Sequence, residues 1–64
     1  MTLAERIRAL RKAGVKQGDV ARRAGVSQPT VSSAANGHDL FYSSAVKITQ
    51  ACEEIEAEIS QASV

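Results

Sequence analysis

Apolar residues recur at helical spacing along almost the whole chain. Leu3, Ile7 and Leu10 fall at i, i+4 and i+7, one face of an amphipathic helix. Thr2 ahead of them, with Glu5 three residues later, has the capping-box pattern, and Gly14 supplies a stop. Arg6, Arg8, Arg11 and Lys12 lie mostly off the apolar face. The spacing predicts a second helix over 17–24 with Val20, Ala21 and Ala24 on one side. Gly25 follows it, where a left-handed backbone costs glycine least. Ser27 is the expected N-cap of a third helix reaching about Ala35, and Asn36-Gly37 closes it. From Ser43 onward Ala45, Ile48, Cys52, Ile55, Ile59 and Ala62 recur in alternating steps of 3 and 4, a heptad seam that predicts a helix over about 44–61. No segment alternates with period two. The expected fold is all-α, a small bundle of four to five helices forming one domain over 1–64.

The middle of this pattern is unusual in its side-chain sizes. Val20, Ala21, Ala24, Val26, Val31, Ala34 and Ala35 are all small, although a short chain needs every buried contact. Small residues at helical spacing on both sides of a glycine describe two helices that cross closely at a tight corner. That is the helix-turn-helix arrangement, here over 17–36. Counting from Gln17, alanine falls at the fifth position (Ala21), glycine at the ninth (Gly25) and a β-branched residue at the fifteenth (Val31). Ala21 must be small because the second helix crosses over it, while Val26 and Val31 anchor the turn and the following helix.

Charge adds a direction. The formal net charge of the 64 residues is only +1, but residues 1–38 carry +5 and residues 39–64 carry −4. Such a split points to a polyanion-binding front and a solvated or partner-facing back. Cys52 is the sole cysteine, so no internal disulfide or cysteine metal cluster is expected. His38 has no second histidine to form a ligand set with, and no metal or cofactor is expected. There is no nucleophile–base pair and no phosphate-cradling glycine loop, so the chain is not expected to be an enzyme, nor to take a small-molecule ligand. No apolar run is long enough for a signal peptide or a membrane span, which makes the reducing cytoplasm the expected compartment.

The stretch "VKQGDVARRAGVSQPTVSSAANG", with "SSAVKITQA" after a short loop, resembles the lambda-repressor and Cro-like family of phage and prophage transcriptional regulators. The likeness covers about residues 3–52. A second resemblance, through "DVARRAGVSQPTVS", is to the lac-repressor-type headpiece, which lacks a helix before the motif. The resemblance implies a third helix whose Gln28 faces the major groove, where a carboxamide bonds adenine N6 and N7. It implies that Gln17 braces Gln28 and touches a phosphate. Thr30, Ser32 and Ser33 would meet base edges, and Lys16, Arg22, Arg23, Ser27 and Asn36 would hold the backbone. Two residues depart from the pattern. Gly18 weakens the second helix, and Pro29 disfavours α geometry at Gln28, which would move the third helix one residue later. That helix carries no arginine or lysine, so guanine reading by a bidentate arginine is not expected.

The reading that follows is a sequence-specific regulator of double-stranded DNA, a Cro-like repressor that binds a pseudo-palindromic operator as a homodimer. At this length no sensor domain is expected. Ile55, Ile59 and Ala62 lie beyond the reach expected of the small core and form the expected dimer interface, with Phe41 and Tyr42 as core or loop anchors. Two alternatives stand beside it. One is an autorepressing antitoxin or small-operon regulator, which a neighbouring toxin gene would mark. The other is a protein-binding anti-activator, which would bind no DNA at low salt.

Overall fold

A computed structural model describes residues 2–62. The capping box forms as the sequence predicts. The Thr2 hydroxyl oxygen accepts from the Glu5 backbone N–H at 3.2 Å, and the Glu5 carboxylate accepts from the Thr2 N–H at 3.4 Å. The Thr2 hydroxyl also donates to the Glu5 carboxylate at 3.0 Å, and this bond, with the one from the Thr2 N–H, holds the Glu5 carboxyl below the usual carboxylate range. Helix α1 runs Leu3–Lys12 and buries Ile7 and Leu10. Helix α2 runs Gln17–Ala24 and ends at Gly25, whose φ of 74° places it in the left-handed region. The Gly25 and Val26 N–H groups both donate to the Ala21 carbonyl, which satisfies the end of α2 and turns the chain.

Helix α3 runs Gln28–Ala35. Its first residue is Gln28 and not the residue after it, because Pro29 falls in the first turn. The N–H that proline lacks would have had no intrahelical acceptor there. Ser27 is the N-cap, its hydroxyl accepting from the Thr30 N–H at 3.3 Å. Helix α4 runs Tyr42–Ala62, two residues earlier at its start than the heptad seam indicates. Its 21 residues span about 31 Å, most of the long dimension of a molecule measuring 36 × 19 × 18 Å. The fold is all α, with four helices among the described residues.

Helices α1 and α2 each pack on both α3 and α4, so one core lies between all four. Val31, Ile48 and Cys52 are fully enclosed at its centre. Two expectations fail here. Ile55 is not an exposed dimer residue: it is 7 % exposed and belongs to the core. The reason is that α2 runs beside α4 far enough to cover it, with Val15 and Arg23 on the same flank. The core therefore reaches one turn farther along α4, and the heptad seam surfaces only at Ile59 and Ala62. Phe41 and Tyr42 are not anchors either, being 85 % and 84 % exposed. The neighbouring Leu40 is the loop residue that packs on the core.

Ion pairs flank α4 on both sides. Arg6 of α1 meets Glu53 at 3.9 Å and Glu56 at 3.3 Å, and Arg23 of α2 meets Glu54 at 3.8 Å and also Glu58. Part of the charge split between the two halves of the chain is thus neutralised within the molecule. Among the described residues, no helix is long and apolar enough to cross a membrane.

Candidate nucleic-acid interface

The candidate interface is built on the α2–Gly25–α3 corner. Ala21 is buried where the helices cross, as its size requires, and Val31, Ala34 and Ala35 turn inward from α3. This leaves Gln28 exposed and Thr30, Ser32 and Ser33 half-buried along α3, with Asn36 exposed at its end. Asn36 is also the C-cap, its N–H donating to the Ser32 and Ser33 carbonyls.

Gln28 does not stand straight out from α3. Its carboxamide lies back over α2, with Oε1 only 3.6 Å from where a Cβ on residue 18 would stand. Gly18, which weakens α2 on propensity alone, provides the bare backbone on which that carboxamide rests. Gln17 and Gln28 line one shallow depression together with Arg11, Lys16, Gly18 and Arg22. The two glutamines of the motif and three cations therefore share one surface. Arg11 is the member that residue spacing did not single out. The turn at Gly14 returns the last turn of α1 to the start of α2, and this proximity leaves no mark in the helical period.

Other members of the expected set are engaged elsewhere. Ser27 uses its hydroxyl for the cap and also meets the Thr30 hydroxyl at 2.7 Å. These two hydroxyls are therefore committed to each other, and the Thr30 methyl is the part of that side chain with no such bond. Arg22 pairs with Asp19 at 2.9 Å on the surface of α2. Arg23 points to α4, away from the depression beside Gln28. It donates to both Glu58 oxygens, one of them at 3.1 Å, and this contact raises its pKa. In the chain without DNA, Arg23 is thus engaged in a tie between helices.

Residues 2–61 match the helix-turn-helix domain family. The chain belongs to that family. The match begins at the cap of α1 and extends nearly to the end of α4, so the helix-turn-helix domain here is the whole bundle and not only the two crossing helices. No curated protein and no solved structure matches it. As a helix-turn-helix protein the chain has DNA as its partner class, with α3 in the place of the recognition helix.

Proposed function

We propose that this helix-turn-helix protein is a sequence-specific regulator of transcription, a Cro-like repressor in the cytoplasm that binds a pseudo-palindromic operator as a homodimer. One observation carries the reading. Gln28 stands at the start of α3, half-turned onto Gly18, in a depression that also holds Gln17, Arg11 and Lys16. The amide is a base-reading group and the cations beside it are phosphate-holding groups. The α4 residues Glu56 and Glu58 do not line that depression and pair with Arg6 and Arg23 instead.

In this reading Gln28 bonds an adenine, Thr30, Ser32 and Ser33 meet base edges or thymine methyls, and Gln17, Lys16, Arg11 and Asn36 hold the backbone. Arg22 contributes charge at the rim. The dimer element is the end of α4, where Ile59 and Ala62 are exposed. Two-fold pairing there would present two copies of α3 to successive major grooves, about 34–36 Å apart. Selection of binding sites from random duplex DNA, followed by sedimentation of the free and bound protein, tests the whole reading. A two-fold symmetric site bound by two chains is the expected result. An unenriched pool at low salt would refute it.

A further inference from the structure

The Phe41 carbonyl accepts from the Ala45 N–H at the start of α4, but its ring is exposed and sits beside the α3 face. It lines a second depression with Pro29, Thr30 and Ser33 of α3 and with Asp39 and Leu40 of the loop. A duplex seated on Thr30 and Ser33 would therefore run past the Phe41 ring. This part of the chain is poor in the fixed cations that draw phosphates. From Ala24 to Val46 there is no lysine or arginine, and Asp39 adds a negative charge on the same rim. What this flank offers is hydroxyls, the His38 imidazole, a carboxylate and an exposed aromatic ring. In the major groove the one apolar feature of a base pair is the C5 methyl of thymine.

We propose that Phe41 is a second base-contacting residue, packing its ring on a thymine methyl beside the base pairs that α3 meets. The inference rests on the DNA-binding reading above and adds to it the α3–α4 loop as a specificity element. It also gives the site a composition. With Gln28 suited to adenine, no arginine on α3 for guanine, and Phe41 on thymine, A·T pairs dominate the positions read by this flank.

The test uses the full chain and the duplex selected from random DNA, with deoxyuridine replacing each thymine in turn. Uracil removes only the methyl group. At one thymine per half-site the wild-type protein is expected to bind about four-fold more weakly, the worth of one buried methyl. Phe41→Ala should bind the all-thymine duplex more weakly and show no further loss with uracil there, while Phe41→Leu keeps part of the sensitivity. Because the ring is exposed, circular dichroism of both variants should match wild type. Unchanged affinity in Phe41→Ala, or the same uracil penalty as wild type, would overturn the inference while leaving the DNA-binding reading intact. A loss of dimer mass in Phe41→Ala with the uracil penalty unchanged would also overturn it, assigning the ring to a second copy of the chain. Failure of the wild-type chain to bind any duplex at low salt would remove both.

Discussion

Arg23 and Glu58, 35 positions apart in the chain, are joined by two hydrogen bonds that tie the end of α2 to the second half of α4. We propose that this arginine, which looks like a phosphate contact in the sequence, is a structural one. Arg23→Ala is expected to lower Tm at low salt. That difference should vanish near 1 M salt, where screening extends only about 3 Å. Its operator affinity should keep the wild-type slope of log K against log salt. Lys16→Ala, by contrast, should flatten that slope by about one unit. A flattened slope in Arg23→Ala would return the residue to the DNA.

Gln28→Ala is expected to cost about 1–3 kcal/mol on the selected operator and to relax preference at a single base pair. Binding titrations against operator and random duplex distinguish the cases. Equal losses on both would show that the carboxamide touches only backbone.

Gly18→Ala separates folding from reading. The new methyl would lie in ordinary van der Waals contact with the Gln28 carboxamide, without a clash, while α2 gains an alanine. Urea unfolding should show a gain of about 0.5–1 kcal/mol, with base preference retained because Gln28 keeps its place. A loss of preference would mean that the carboxamide needs the bare backbone.

Burial at the centre of the core pushes the Cys52 thiol up from its ordinary 9.0 to about 11, with Glu56 adding a smaller effect. The folded state thus holds its proton to higher pH than the unfolded state does. The associated stability is complete below pH 9 and is lost as the pH rises from about 9 to 11. By linkage the loss is about 2–3 kcal/mol. Unfolding of wild type and Cys52→Ala at pH 8 and pH 11 should show this extra alkaline loss only in wild type. The native thiol should also resist alkylation at pH 8 until the chain unfolds.

The two isoleucines at the end of the seam should behave differently. Ile55→Ala removes buried side-chain volume and is expected to cost about 2–5 kcal/mol, enough to unfold much of so small a domain. Ile59→Glu should stay folded by circular dichroism but sediment as a monomer and bind the operator weakly. Dimers of unchanged mass in Ile59→Glu would place the interface elsewhere.

Most of the fold was legible in the sequence because its signals are local. The Thr2–Glu5 cap, the stop at Gly25 and the Ser27 cap each act within one turn, and the helices begin and end beside them. The seam in α4 was legible as a stripe but not as a boundary. A stripe of spacing 3 and 4 looks the same whether the chain's own core or another chain covers it, so Ile55 was assigned to the wrong side. Phe41 and Tyr42 were misread for a related reason. Hydrophobic type alone predicts burial, yet the short loop before α4 packs one large residue against the core, and Leu40 takes that place. The candidate site was legible where it coincides with the motif, at Gln17 and Gln28. Arg11 and Arg23 depend on contacts between helices, which have no period to read.

The length of α4 has a last consequence, which concerns time and not shape. Geometrically it is one helix, but only the part through Ile55 has a core behind it. Amide protons near Ile48 and Cys52 should exchange with solvent only when the whole domain opens. Those past Ile59 should exchange through local fraying, which needs far less free energy. The exposed end is thus a slow-to-fast gradient along a single rod, and anything that covers that end would slow its fast part first. Hydrogen exchange at those few amides would register a second chain on α4 without any label.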